Sequence, residues 1–248
     1  MIPKILHLCW LSGDPYPELI AHCLASWKRH LPNYEVMLWN RQSVVVDATP
    51  WVAQAVARKK YAFAADYIRM HALYSHGGIY LDADVEVLRN FDELLVHPSF
   101  MGYETGGDLE PAVIGAAPGV PWIGHCLRHY KDRPFIRPDG SLDLRPLPLV
   151  VGDALRAQYA LTTAPVQGSV FLEDAQLMLF DASYFSPKNI HSGALALSRH
   201  TFAVHHFNGQ WVERNLRHKL KTSLHRFLLG TVGASAHRRI VAAIRGLK

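Results

Sequence analysis

The stretch Gly77-Gly78-Ile79-Tyr80-Leu81-Asp82-Ala83-Asp84-Val85 decides how this chain is read. Its paired glycines can end a helix, since glycine enters the left-handed cap conformation without steric cost. Three apolar residues then make a short buried strand. Two carboxylates one residue apart follow at once, and ligands of open α/β sheets gather at the carboxyl ends of strands. Such a pair can hold a hard divalent cation, which in turn can clamp a diphosphate. A D-x-D triplet alone is a weak signal, because acidic turns produce it often.

Working upstream, Tyr61 to Ser75 is predicted helical, with Phe63, Tyr67, Met70 and Tyr74 at a three-to-four-residue period. Asp66 and Arg69 lie three residues apart on it and so share a face. They read either as a local ion pair or as a pair facing a donor pocket. Earlier still, Trp51 to Arg58 and Glu18 to His30 read as helices, Tyr34 to Trp39 and Ile5 to Trp10 as strands.

Downstream, Phe100 to Tyr103 and Val113 to Ala117 look like strands, and Trp122 to Tyr130 and Leu149 to Tyr159 like helices. Pro134 to Pro148 reads as a loop. A late strand, Phe202 to Phe207, leads into Asn208-Gly209-Gln210-Trp211. Adjacent histidines on a strand point to opposite faces, so only one of His205 and His206 readily lines a pocket there. Trp211 could donate its indole N–H to a phosphate oxygen.

The bulk properties fit one catalytic domain. The chain has 248 residues, 49% of them hydrophobic, enough to bury a sizeable core. Cys9, Cys23 and Cys126 are odd in number and widely spaced, which suits small core residues in a reducing cytoplasm better than a disulfide framework. No stretch approaches the length of an apolar membrane span, and no leader pattern opens the chain. The net charge of +5 is uneven: from Glu213 onward nine Lys or Arg face one acid. Residues 212–248 read as a basic amphipathic helical tail, with Leu216, Leu220, Leu224, Phe227 and Leu228 on one face. That tail either docks on the catalytic domain or makes peripheral contact with the inner face of an anionic membrane. Nucleic acid is not an expected partner, since no basic and aromatic stripe runs along the main body.

Together, Ile2-Pro3-Lys4-Ile5-Leu6-His7-Leu8-Cys9-Trp10, Ala65-Asp66-Tyr67-Ile68-Arg69, the block that ends in Asp82-Ala83-Asp84-Val85, and the run from His205-His206 to Trp211 resemble glycosyltransferase family 32. The resemblance covers most of residues 1–211 and is strongest from Ala62 to Leu88. It implies a GT-A fold: a Rossmann-like nucleotide-binding sheet flanked by helices, in an α/β domain of residues 1–211. It also implies retaining transfer of a sugar from a nucleotide-sugar donor, a UDP- or GDP-sugar, to a glycan or lipid-linked acceptor, with Mn²⁺ or Mg²⁺.

Carried over by residue, Trp10 would pack on the base, Asp66 and Arg69 would hold the donor sugar, and Tyr80 would lie beside them. Asp82 would touch ribose or sugar and reach the metal through water, Asp84 would ligate it directly, and His206 and Trp211 would close around metal and diphosphate. Many relatives have Ser where Gln210 stands, which leaves the third protein ligand open among His206, His205, Asn208 and Gln210. Two other readings compete. A haloacid-dehalogenase-like phosphohydrolase would use Asp82 as nucleophile, but leaves Asp66 and Arg69 unexplained and lacks a good later acidic motif. A non-catalytic sugar-nucleotide binding module would keep the fold without turnover.

Overall fold

The computed structural model describes residues 1–43, 49–159, 161 and 168–208. Gln210, Trp211 and the basic tail lie outside the described residues. The core is a seven-stranded mixed sheet in the order β2-β1-β3-β6-β5-β8-β7. Its strands are β1 (Ile5–Cys9), β2 (Glu35–Trp39), β3 (Gly78–Leu81), β5 (Ser99–Tyr103), β6 (Leu109–Ala116), β7 (Val170–Leu172) and β8 (Leu177–Phe180). A two-stranded antiparallel ribbon joins β4 (Val85–Val87) to β9 (Ala203–His205). The helices are α1 (Glu18–His30), α2 (Pro50–Ala57), α3 (Tyr61–His76), α4 (Pro121–Tyr130), α5 (Leu147–Tyr159) and the single turn α6 (Ala182–Phe185).

Only part of the sheet has the parallel character that a Rossmann-like reading implies. β1 runs parallel to β2 and β3, whereas β6 is antiparallel to β3 and to β5. Strand alternation divides the molecule into layers. Tyr80, Met101 and Ile114 face a core shared with Trp51, Phe63, Ile68 and Trp122 of α2, α3 and α4. Ile79, Leu81 and Phe100 face the other core, with Trp27 of α1, Val85 and Val87 of β4, Phe185 of α6 and Ala203 of β9. Each aliphatic side chain so buried contributes on the order of 1.5–3 kcal/mol against exposure.

α3 is central. Nine of its sixteen residues are buried, Asp66 and Arg69 among them. A helix in that position is expected to be apolar, so two buried charges need partners. Gly77 ends the helix at φ +64°, donating its N–H to Leu73 O at 2.9 Å. β3 begins at the next residue, so α3 and the acidic triplet are joined without slack. Opposite, the Trp27 indole donates to Val85 O at 2.7 Å, and Ser26 Oγ accepts from the Val87 N–H at 2.9 Å, which ties α1 to β4.

Candidate active site

β1 and β3 are parallel and in register at Leu6 with Ile79 and His7 with Tyr80, so their carboxyl ends share one edge of the sheet. Trp10 and Asp82 both follow at that edge. The Asp82 N–H donates to Ala112 O at 2.9 Å, and Asp82 O accepts from the Val85 N–H at 3.0 Å, a tight turn that presents both carboxylates before the chain enters β4.

The β4–β9 ribbon brings the end of the described chain to this turn, since Val85 pairs with His205. His205 Nε2 lies 3.4 Å from Asp84 Oδ1. Phe207 takes φ +52°, left-handed and rare for an aromatic residue, and the reversed backbone wraps Asp84. Asp84 O accepts from the His206 N–H at 3.0 Å, and Asp84 Oδ2 from the Asn208 N–H at 2.8 Å. Of the four candidates for a third ligand, His205 is the side chain brought to the carboxylates. His206 points instead to Glu86, with Nε2 2.9 Å from Oε2, as the alternation along a strand requires for its neighbour. Asn208 contributes its backbone N–H, and Gln210 and Trp211 lie outside the described residues.

Arg69 carries the second half of the site. One terminal nitrogen donates to Pro111 O at 2.7 Å; the other is 3.0 Å from Asp82 Oδ1 and 3.4 Å from Asp66 Oδ1. The guanidinium lies 4.5 Å from the Tyr80 ring centroid, and the Tyr80 hydroxyl donates to Asp82 Oδ1 at 3.1 Å. The expectation that Arg69 meets sugar or phosphate oxygens therefore encounters a group already engaged inside the protein, with Nε buried and without a partner among the described residues. Removing one member of such a buried pair costs roughly 3–5 kcal/mol, because its partner's charge is stranded. Trp10 is half-buried, its indole donating to Asp14 O at 2.8 Å and its ring 4.9 Å from Tyr16.

Glu110 on β6 is a site residue that sequence reasoning missed. Its Oε2 is 3.5 Å from His205 Nδ1, which has no hydrogen-bond partner among the described residues. Nothing in Leu109-Glu110-Pro111 announces this role, which depends on β6 lying antiparallel beside β3.

The electrostatics separate the two aspartates. Burial raises the Asp82 pKa, against the lowering influence of Arg69 and His205. At Asp84 burial acts the same way, but His205 and the Asn208 N–H prevail and hold it at about 2. Burial lifts Asp66 to about 7, against Arg69. Burial would lower His205, yet Glu110 and Asp84 raise it to about 10. Four carboxylates, Asp66, Asp82, Asp84 and Glu110, thus meet two cations, Arg69 and His205, leaving an excess of negative charge.

Ligand atoms of Asp82, Asp84 and His205 lie within 4.8 Å of one another. Two carboxylates and one imidazole, backed by excess negative charge, fit a divalent cation such as Mn²⁺ or Mg²⁺.

Residues 17–101 match the model of a glycosyltransferase sugar-binding region containing the DXD motif. Inositol phosphoceramide mannosyltransferase 3 of Schizosaccharomyces pombe is 32% identical over 132 residues, 52% of this chain and 37% of that protein. Mannosyl phosphorylinositol ceramide synthase SUR1 of Saccharomyces cerevisiae is 28% identical over 196 residues, 75% of this chain and 50% of that protein. The chain spans about half or less of the length of these relatives. The structure of the PaToxG glycosyltransferase superposes with a TM-score of 0.50 at 20% identity, over 64% of this chain and 70% of that one. The chain therefore combines a DXD-motif region with the GT-A-like fold of a known sugar transferase.

Proposed function

We propose that this chain is a metal-dependent glycosyltransferase that moves a hexose from a UDP- or GDP-sugar to a lipid-borne or glycan hydroxyl. The observation that carries the reading is the joining of Asp82, Asp84 and His205 within 4.8 Å at the carboxyl end of β3, backed by the buried Arg69. The acceptor class draws on the relatives, whose names speak of mannosyl transfer and inositol phosphoceramide. The phosphohydrolase alternative gains no support, because it assigns no role to Asp66 and Arg69, which the structure brings together beside Asp82.

In this reading Asp84, Asp82 and His205 hold Mn²⁺ or Mg²⁺, which when bound neutralises charge on the donor diphosphate. His206 is assigned to Glu86 rather than to the cation. Arg69 and Tyr80 aim Asp82, Asp66 accepts from donor sugar hydroxyls, Trp10 packs on the base, and Trp211 donates to the leaving diphosphate. No carboxylate is assigned as a covalent nucleophile. The acceptor oxygen attacks the anomeric carbon from the face on which the donor bond breaks, and the departing diphosphate takes the acceptor proton, so configuration is retained.

Donor hydrolysis measured across UDP- and GDP-hexoses tests the proposal. Turnover should need Mn²⁺ or Mg²⁺, disappear with chelator and return on re-addition. Asp84→Ala should lower it at least about a hundredfold, the scale for losing a key electrostatic group. Chelator-resistant turnover, or near-normal activity in Asp84→Ala, refutes the site; an inverted product anomer refutes the stereochemistry.

A further inference from the structure

A second surface lies between α6 and β9. Every residue from Ile190 to His200 is exposed, with Ile190, Leu195 and Leu197 at 51%, 52% and 56%. Isolated exposed aliphatics are ordinary, but here three stand within eight residues of one loop, which makes this apolar face a candidate contact patch. The loop is built rather than slack. Lys188 and Leu195 form an antiparallel bridge. Asn189 N–H donates to Ala194 O and Gly193 N–H to Asn189 O, both at 2.8 Å, while Asn189 Oδ1 accepts from the N–H groups of His191 and Ser192. Its aliphatic side chains are therefore displayed on a hydrogen-bonded frame.

Charge and position give the patch a direction. No Asp or Glu occurs from Ala182 to Val212, whereas Lys188, His191, Arg199 and His200 fall within the loop. The acids of the adjoining turn, Glu104 and Asp108, belong to the root, where Asn189 Nδ2 donates to Thr105 Oγ1 at 3.3 Å. At the same root Lys188 Nζ donates to His206 O at 2.9 Å, and the His206 N–H donates to Asp84 O. One residue therefore links the loop to the carboxylate cluster.

We infer that this loop seats the protein on an anionic lipid surface. Ile190, Leu195 and Leu197 enter the boundary between headgroups and acyl chains, and Arg199, flanked by His191 and His200, meets the headgroups, while Lys188 stays at the root on His206 O. A membrane-borne hydroxyl is then offered beside Asp84 without leaving the bilayer. The inference rests on the lipid-acceptor reading above.

Vesicle flotation of the full chain, on phosphatidylcholine with and without phosphatidylglycerol, tests it. The triple variant Ile190→Ser, Leu195→Ser, Leu197→Ser should bind the anionic vesicles at least about tenfold more weakly, since it removes the inserted aliphatic area. Its circular dichroism and its metal-dependent donor hydrolysis in solution should be unchanged. Leu195→Cys gives a second measure: Cys23 and Cys126 are buried and Cys9 half-buried, so an environment-sensitive dye reports chiefly from position 195. Its emission should shift to the blue on adding vesicles. A triple variant that floats like the parent, which would put binding on the basic segment after Glu213, overturns the inference. So does a label that ignores vesicles, or a concentration-dependent dimer lost in the variant without any vesicle binding. Vesicle binding through the loop with no donor turnover would sink the transferase reading and leave the docking surface standing.

Discussion

The two aspartates of the triplet differ in what holds them. Asp84 has no slack: a backbone N–H, a histidine and a reversed backbone fix it, and its carboxyl stays ionised down to about pH 2. Asp82 is half-buried, restrained by Arg69 and Tyr80, and its pKa is pushed upward by desolvation. Behind the site, His7 is fully buried on β1, hydrogen-bonded through Nε2 to Gly77 O at 2.7 Å, while its Nδ1 accepts the Trp39 indole N–H at 3.1 Å. That pairing requires the neutral ring, and burial lowers its pKa to about 4, more than the Gly77 bond raises it. The unfolded chain takes up this proton near pH 6.5, whereas the folded chain resists it until about pH 4. Stability from His7 is therefore complete above pH 6.5 and falls as pH drops toward 4, by up to about 3 kcal/mol. Denaturant unfolding at steps across this window should show a steeper loss in the parent than in His7→Gln. Equal slopes would remove His7 as the cause.

At the scale of elements, α3, Gly77 and β3 act as one lever that sets the triplet against β6. Gly78 is its tightest point: φ is +104°, and an added Cβ would sit 2.6 Å from Ile5 O and 3.1 Å from His7 Nε2. Neither neighbour can yield, one being backbone and the other hydrogen-bonded to Gly77 O. Gly78→Ala should destabilise by roughly 3 kcal/mol and lower turnover, because the strand that presents Asp82 must move. An unfolding midpoint within about 0.5 kcal/mol of the parent would show that β3 has room. The same lever explains what was legible in the sequence. The apolar period of α3, the glycine stop and the strand before Asp82 are local features, so they could be read directly. Helix α1 matches its expected span of Glu18 to His30 for the same reason. β4 was not legible, since Val85-Glu86-Val87 is three residues long and becomes a strand only by pairing with Ala203–His205, far along the chain. The choice of His205 over His206 depends on that same register, and Glu110 on the antiparallel seating of β6. Among the strands, β7 and β8 were also missed, being short runs whose pairing with each other and with β5 is a tertiary matter.

Across the whole molecule, the candidate cation site is where distant parts of the chain meet. Asp66 and Arg69 come from α3, Asp82 and Asp84 from the turn after β3, Glu110 from β6, and His205 from β9, which reaches back across the second core. Among the described residues no helix is long and apolar enough to cross a membrane. Repulsion among the carboxylates is relieved by Arg69 and by a proton on His205. A divalent cation that binds the folded cluster and not the unfolded chain must stabilise the entire fold, by about 2.7 kcal/mol at a hundred times its Kd. For a domain of this size each kcal/mol is worth about 2–4 °C, so saturating Mn²⁺ should raise the melting temperature by about 5–10 °C. Chelator should reverse the shift, and Asp84→Ala should lose it while still unfolding cooperatively. His206→Ala should keep most of it, because that ring faces Glu86 and not the carboxylate pair. Scanning calorimetry of the parent, Asp84→Ala, His205→Ala and His206→Ala with and without Mn²⁺ separates the assignments. A shift that survives Asp84→Ala would place the cation elsewhere, and one lost in His206→Ala but kept in His205→Ala would reverse the choice of histidine.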